Sequence, residues 1–188
     1  DYVGAVIRGG VRFFEVAMNT PHALHQIRLI RNRIGKEILV GAGTVLTAEA
    51  AEKEVESGAQ FLLSPSSDEQ VLAYCQENDI MMMPGVLTPS DVALCLRYGF
   101  STLKLFPAGG MSAGYVKLLK GPFDNTEYVA IGGVTPENLT DFFRQGCIGA
   151  GLGSSLVPKE AAAKGDWEAC AAYVRAMVDK IEKVRGLG

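Results

Sequence analysis

Short apolar runs alternate with amphipathic stretches along the whole chain. The apolar runs start about 19 to 26 residues apart and are almost uninterrupted by polar residues, which is typical of parallel strands buried on both faces. They cover residues 13–17, 38–41, 61–64, 80–83, 102–106, 128–131 and 149–152. The pattern therefore predicts seven parallel strands.

The stretches between these runs have apolar residues at helical spacing, and several begin with Thr or Ser before Pro or an acidic residue. The predicted helices cover residues 21–34, 48–57, 68–78, 89–98 and 136–145. Residues 1–8 look like the end of an earlier helix, and residues 167–185 have the periodicity of a closing C-terminal helix.

This repetition of strand and helix predicts an α/β fold with a parallel sheet covered by helices. Because the repeat is so regular, we expect a closed (β/α)8 TIM barrel rather than a doubly wound open sheet. Seven strands are visible, so the first strand of the barrel is expected to precede Asp1. With 188 residues, 48% of them hydrophobic, the chain is predicted to form one domain over residues 1–188.

The charge balance limits the classes of partner. A net charge of -3 provides no basic field for a nucleic acid or an anionic membrane, which usually require clustered Lys and Arg. The apolar runs are also well short of the roughly 18 residues that a membrane-spanning helix needs. We therefore expect a small-molecule partner and neither nucleic acid nor membrane.

The four cysteines do not indicate a metal or disulfide framework. They are Cys75, Cys95, Cys147 and Cys170, they form no Cys-x-x-Cys pair, and the chain has only two histidines. We expect free structural thiols in the reducing cytoplasm, and neither a metal nor another cofactor.

Lys104 lies in the predicted strand 102–106 among apolar residues. A lysine ammonium is rarely buried, and burial lowers its pKa because it disfavours the charged form. A buried lysine then presents a free amine that attacks a carbonyl and forms a Schiff base. The alternative is structural: Lys104 extends to solvent from an edge strand or pairs with a core carboxylate.

Further polar residues fall where strands of a barrel end, which is where such folds carry their active sites. Glu15 lies inside the run 13–17, with Asn19 and Thr20 in the following loop. Glu15 is either a functional acid or base, or the structural partner of an arginine. Thr44 ends the segment 41–44, whose glycines allow backbone to approach a ligand closely; otherwise Thr44 caps the next turn.

Two glycine-rich loops follow the last two predicted strands. They contain Gly132 and Gly133 in one loop and residues 151–155 in the other. Backbone N–H groups at this position in barrels hold phosphate, and Ser154 adds a hydroxyl donor. These loops predict a phosphate site, with tight turns alone as the alternative.

Six ordered segments together resemble the 2-keto-3-deoxy-6-phosphogluconate (KDPG) and 4-hydroxy-2-oxoglutarate (KHG) aldolase family. The segments are 14–20 (FEVAMNT), 41–45 (GAGTV), 83–86 (MPGV), 103–107 (LKLFP), 132–134 (GGV) and 151–154 (GLGS). The resemblance runs nearly end to end. It implies an eight-stranded barrel, a homotrimer, and Schiff-base chemistry without metal.

The resemblance also implies roles for individual residues. Lys104 falls on the Schiff-base lysine of the family and Glu15 on its general acid/base. The implied substrate-binding residues are Thr44, Asn19, Thr20, Pro84, Phe106 and Ile131. The implied phosphate-binding residues are Gly132, Gly133, Gly153 and Ser154.

Two positions differ from the gluconate pattern. Many members of the family have an arginine where this chain has Asn19, and a threonine where it has Ile131. Loss of a bidentate arginine should weaken binding of the pyruvyl carboxylate unless backbone groups replace it. Both changes, and the run 132–139 (GGVTPENL), resemble the 6-phosphogalactonate branch of the family.

The resulting expectation is a class I aldolase that cleaves a 2-keto-3-deoxy-6-phospho sugar acid to pyruvate and glyceraldehyde 3-phosphate. It extends to cleavage of KHG to pyruvate and glyoxylate. One alternative is another phosphate-binding barrel, an isomerase or a decarboxylase, in which Lys104 acts as a charge. A second alternative is a barrel without catalysis that serves in binding or regulation.

Overall fold

The computed structural model describes residues 1–34, 38–112 and 114–186. Its strands are β1 (Phe13–Ala17), β2 (Leu39–Gly43), β3 (Leu62–Leu63), β4 (Met82–Met83), β5 (Gly85–Val86), β6 (Thr102–Leu105), β7 (Glu127–Ile131) and β8 (Gly149–Gly151). Its α-helices are α1 (Tyr2–Arg8), α2 (Ala23–Ile34), α3 (Ala48–Glu56), α4 (Glu69–Glu77), α5 (Pro89–Arg97), α6 (Tyr115–Lys120), α7 (Leu139–Arg144), α8 (Lys159–Ala163) and α9 (Trp167–Val184). A 3₁₀ turn, Ala108–Gly110, follows β6.

The strands form two four-stranded parallel sheets, in the orders β1-β2-β3-β4 and β5-β6-β7-β8. Pro84 alone separates β4 from β5. It interrupts the strand because proline has no N–H to donate to a ladder, although its carbonyl accepts a hydrogen bond from the Lys104 N–H at 2.9 Å. The prediction of an α/β fold with parallel strands in sequence order is confirmed.

Each of the seven predicted runs overlaps a strand, whereas β5 was not predicted as a separate strand. Within the described residues, the pairings include none between β8 and β1. Closure of the barrel and its expected first strand therefore stay predictions. The predicted domain range ends at residues 187–188, which lie outside the described residues.

The helices agree with the predicted periodicity except near residue 136. The helix predicted over 136–145 begins instead at Leu139, because residues 135–138 form a turn in which the Asn138 side chain accepts a hydrogen bond from the Thr135 N–H. The short helices α6 and α8 were not predicted. The closing helix α9 is confirmed and packs against α1, α7 and α8.

Buried apolar side chains from the strands and the inner helix faces form one hydrophobic cluster. From α9, Cys170, Val174 and Met177 enter it. The four cysteines are buried and unpaired, as the sequence predicts. In the part of the chain that the structure describes, no helix is both long and apolar enough to cross a membrane. The parallel strands bring their carboxyl ends to one edge, and this edge carries the polar residues considered next.

Candidate active site

Lys104 is the third residue of β6 and lies between β5 and β7 in the sheet. Only 4% of its surface is exposed, so it does not extend to solvent from an edge strand. Burial lowers the pKa of Lys104, and the negative charge of Glu15 opposes this shift. A larger fraction of Lys104 is therefore present as the free amine, which is the form that attacks a carbonyl.

Glu15 is the central residue of β1 and pairs with Gly41 of β2. Its carboxylate makes no ion pair within 4.0 Å among the described residues, so the alternative of an arginine partner is wrong for this part of the chain. Burial raises the pKa of Glu15, while the positive charge of Lys104 opposes the rise. Glu15 therefore keeps its proton to a higher pH than an ordinary carboxyl group.

The two groups lie close enough for each to influence the other's charge, without a direct hydrogen bond in the described structure. Burial shifts the pKa of the lysine down and that of the glutamate up, which favours the neutral form of both. A free amine beside a carboxyl group that can give and take a proton is the pairing that Schiff-base chemistry needs. Paired groups with opposite shifts in one site also indicate function.

Phe106 connects the lysine to the first glycine-rich loop. Its ring centroid lies 5.0 Å from Lys104 Nζ. The same ring covers Gly132, where a Cβ atom would come within 2.8 Å of Cδ2 and Cε2 of Phe106. Pro84, whose carbonyl accepts a hydrogen bond from the Lys104 N–H, is buried between β4 and β5. Two predicted site residues, Phe106 and Pro84, are thus neighbours of the lysine.

A cavity of about 750 Å³ reaches Glu15, but Lys104, Thr44, Pro84 and Phe106 are not among its lining residues. Of the predicted residues it is lined by Glu15, Ile131, Gly132, Gly133, Gly153 and Ser154. Leu63, Met83 and Val129 add apolar walls that the sequence analysis did not assign to the site. Apolar walls with a few polar groups are typical of small-molecule sites.

The two glycine-rich loops meet at this cavity. Gly132 and Gly133 have φ values of 85° and 74°, a left-handed conformation that side chains rarely adopt. Ser155 Oγ donates to the carbonyl of Val134 at 3.4 Å and joins the second loop to the first. Ser154 is exposed at the rim. Residues of both loops line the same cavity, which is where the predicted anion site between them would lie.

Thr44 directly follows β2 and has φ 68°, which is unusual for a β-branched residue and costs on the order of 1 to 3 kcal/mol. It does not cap the next helix, because the side chain that accepts from the Ala50 N–H at the start of α3 is that of Thr47. The capping alternative for Thr44 is therefore wrong. Thr44 directly follows Gly43, which lies against the Glu15 carboxyl group, and a strained backbone is the kind of feature that clusters at functional sites.

Asn19 and Thr20 lie in the turn after β1, where the Thr20 N–H donates to the carbonyl of Ala17 at 2.9 Å. Ala17 lines the cavity, but Asn19 and Thr20 are not among its lining residues, and Asn19 is exposed. The structure therefore places these two at the margin of the site. Within residues 1–34, 38–112 and 114–186 no three His, Cys, Asp or Glu side chains group to hold a metal ion.

Comparisons with known proteins identify the family of the chain. A family model described as KDPG and KHG aldolase matches residues 1–173. The KHG/KDPG aldolase of Escherichia coli K12 is 36% identical over 181 residues, which is 93% of this chain and 82% of the relative. The 2-dehydro-3-deoxy-6-phosphogalactonate aldolase of the same organism is 33% identical over 183 residues, which is 96% of this chain and 89% of the relative.

One solved structure that is similar to this chain contains a covalent intermediate. KDPG aldolase from Legionella pneumophila, with pyruvate captured as a covalent carbinolamine intermediate, superimposes with a TM-score of 0.85 at 29% identity. The match covers 94% of this chain and 85% of that one. On the family model and these relatives together, the chain belongs to the KDPG and KHG aldolase family.

Proposed function

We propose that this chain is a Schiff-base aldolase that cleaves a 2-keto-3-deoxy-6-phospho sugar acid to pyruvate and glyceraldehyde 3-phosphate. The observation that carries the proposal is Lys104, 4% exposed in a central strand, with its pKa lowered by burial and Glu15 as its charged neighbour. Family membership supports the same class of reaction, a carbon–carbon lyase.

Lys104 supplies the nucleophile in this proposal. Its Nζ attacks the C2 ketone to give a carbinolamine, and loss of water gives the protonated imine. Breaking the C3–C4 bond then sends the electron pair into the imine and releases the aldehyde when the C4 hydroxyl loses its proton. The resulting enamine takes a proton at C3, and water returns pyruvate and the free lysine.

Glu15 moves the protons in these steps. It gives a proton to the departing hydroxyl of the carbinolamine, takes the proton of the C4 hydroxyl during cleavage, and returns one to C3, directly or through water. A carboxyl group with a raised pKa suits both directions of transfer near neutral pH.

The substrate is held at two ends. The loops at Gly132, Gly133, Gly153 and Ser154 bind the phosphate, and this remote binding orients the bond to be broken. The pyruvyl end lies near Thr44, Pro84, Phe106 and Ile131. Because Ile131 has no hydroxyl and Asn19 no cation, backbone donors must bind the carboxylate, and we include the galactonate epimer and KHG among the substrates.

The fold proposed for the complete site is the closed eight-stranded barrel of the family, within one domain over residues 1–188. In the described residues, the facing edges of β1 and β8 are unpaired, and the cavity extends between them along apolar side chains of α1 and α9. A further strand at this place would pair with both edges.

The proposed protein is a cytoplasmic homotrimer that needs no cofactor, nucleic acid or membrane. Sedimentation of a monomer at micromolar concentration would contradict the trimer.

The proposed function is tested by trapping the imine. Incubation with pyruvate and borohydride should add one reduced pyruvyl group to Lys104, located by mass spectrometry of peptides. Lys104→Met should give no adduct, while Lys117→Met, at an exposed lysine of α6, should label like the wild type. An unmodified Lys104 in the wild type would contradict the proposal and favour an isomerase or decarboxylase that uses the lysine as a charge. Labelling without turnover on any 2-keto-3-deoxy acid would favour a binding protein.

A further inference from the structure

Asn138 lies just before α7, yet its side chain caps no N–H group of that helix. Instead, both ends of its amide bind the preceding loop: Nδ2 donates to the carbonyl of Gly133 at 3.1 Å, and Oδ1 accepts from the N–H of Thr135 at 2.8 Å. The side chain is therefore fixed against the backbone of residues 133–135, which line the cavity.

A second contact holds the same loop from the other side. The Gly109 N–H, in the turn after β6, donates to the carbonyl of Gly132 at 2.7 Å. Gly109 lies so close to Gly133 that an added Cβ atom would come within 2.7 Å of the Gly133 Cα. The carbonyls of Gly132 and Gly133 are thus both bound to protein donors.

The fixed carbonyls determine where the neighbouring N–H groups point. In a trans peptide the C=O of one residue and the N–H of the next point in opposite directions. Binding of the Gly132 carbonyl by Gly109 therefore turns the N–H of Gly133 away from Gly109, and binding of the Gly133 carbonyl by Asn138 turns the N–H of Val134 away from Asn138. Neither N–H has a partner among the hydrogen bonds of the described residues, and both residues line the cavity.

We propose that Asn138 is a positioning residue that selects phosphorylated substrates. It holds the Gly133 carbonyl out of the anion site and keeps the N–H groups of Gly133 and Val134 directed into that site. This inference rests on the proposed function for its substrate. Without the amide, the Gly132–Thr135 segment can rotate, and a carbonyl oxygen that faces a phosphate dianion repels it. Oδ1 also accepts from the Thr135 N–H, so among residues 133–135 the N–H groups of Gly133 and Val134 are left for the anion.

The test compares Asn138→Ala and Asn138→Asp with the wild type. Asn138→Asp keeps the acceptor for Thr135 but replaces the donor to Gly133 with a carboxylate, so it should be the more damaging change. The matched control is Asn78→Ala, because Asn78 is an exposed asparagine whose side chain also bonds one backbone carbonyl, that of Tyr74, at a helix end. All variants are first compared by thermal unfolding.

Binding of glycerol 3-phosphate, a phosphate monoester that cannot react, is measured by titration calorimetry. We expect Asn138→Ala to raise its Kd at least about tenfold and Asn78→Ala to leave it unchanged. In turnover, Asn138→Ala should raise KM for the 6-phosphorylated substrate by a similar factor and leave kcat/KM for unphosphorylated KHG within about twofold of the wild type.

Equal binding of glycerol 3-phosphate by wild type and Asn138→Ala would overturn the inference, as would equal losses on phosphorylated and unphosphorylated substrates, which indicate a general structural role. The calorimetric result does not depend on lyase activity. Failure of the proposed function would appear separately, as a wild type that binds the phosphate monoester and forms no pyruvyl adduct at Lys104.

Discussion

The carboxyl group of Glu15 occupies the space in which Gly43 would carry a side chain. An added Cβ atom at Gly43 would overlap Oε1 and Cδ of Glu15 and come within 2.8 Å of its Cγ. Gly43 and Glu15 lie on neighbouring strands, two residues out of register, because Glu15 pairs with Gly41 and Ala17 with Gly43. The glycine therefore gives Glu15 its place beside Lys104.

We predict that Gly43→Ala displaces the Glu15 side chain and lowers kcat at least about tenfold, because small displacements of catalytic groups are costly. Imine formation with pyruvate should be affected less than cleavage. The control is Gly4→Ala, where an added Cβ atom meets only an ordinary contact at 3.6 Å. A fully active Gly43→Ala variant would show that Glu15 tolerates another position.

Glu15→Gln keeps the shape of the side chain and removes its proton transfer. We predict a loss in kcat of about 100- to 10,000-fold on the phosphorylated substrate, with slow imine formation retained. Stopped-flow or quench kinetics with borohydride separate the two steps. Cleavage by Glu15→Gln at the native rate would assign Glu15 a purely structural role.

Lys104 should make both imine formation and stability depend on pH. Because burial lowers its pKa, labelling with pyruvate should rise with pH and reach its plateau below the pKa of an ordinary lysine. The unfolded chain binds the proton more tightly, so the wild type loses stability as pH falls through this window. Lys104→Met should therefore abolish turnover and raise the free energy of unfolding, with a difference from wild type that shrinks as pH rises.

Glu54 of α3 is 2% exposed, and the structure shows no hydrogen-bond partner for its Oε2. Burial raises the pKa of Glu54 to about 7, from 4.5. The folded state then holds a proton that the unfolded chain releases above pH 4.5, so stability falls as pH rises to about 7 and is flat above it.

We predict that Glu54→Gln removes this dependence and stabilises the fold at pH 8 by about 3 kcal/mol, with little difference from the wild type at pH 4. Urea unfolding at several pH values measures the effect. Glu56→Gln, at an exposed glutamate of the same helix, is the control. Parallel pH profiles for wild type and Glu54→Gln would show that Glu54 is ionised in the folded state.

Asn19 and Ile131 lead to a prediction on specificity. We expect kcat/KM for the 6-phosphogalactonate analogue to be at least equal to that for KDPG, because neither residue offers the cation or hydroxyl of the gluconate pattern. Removing the phosphate should cost on the order of 2 to 4 kcal/mol of transition-state binding. A strong preference for KDPG over its epimer would refute the first expectation, and equal rates on KHG the second.

Much of the fold could be predicted from the sequence because its signals are local. The apolar runs and helical periodicity correctly locate seven strands and the main helices, including α9. β5 was missed, since the predicted run ends at Met83 and the two residues Gly85 and Val86 are too few to form an apolar run of their own. The late start of α7 was also missed. The sequence does not show whether the Asn138 amide binds the helix or the preceding loop, and in the structure it binds the loop.

For the site, the unusual residues Lys104 and Glu15 could be identified from the cost of burying charge. Their mutual influence could not, because it depends on β1 and β6 facing each other across the fold. Gly43 was interpreted as a place where backbone approaches a ligand, whereas a side chain of the protein itself fills that space. The positive φ of Thr44 likewise could not be predicted from its residue type.

The break at Pro84 also places the proposed site residues on two separate sheets. Glu15 and Thr44 belong to the hydrogen-bonded ladder β1 to β4, while Lys104 and both glycine-rich loops belong to the ladder β5 to β8. The proposed proton transfer thus lies on one sheet, and the proposed covalent bond and anion site lie on the other. The proposed reaction depends on how the two sheets are aligned, and Pro84 is the single residue that joins their edge strands β4 and β5.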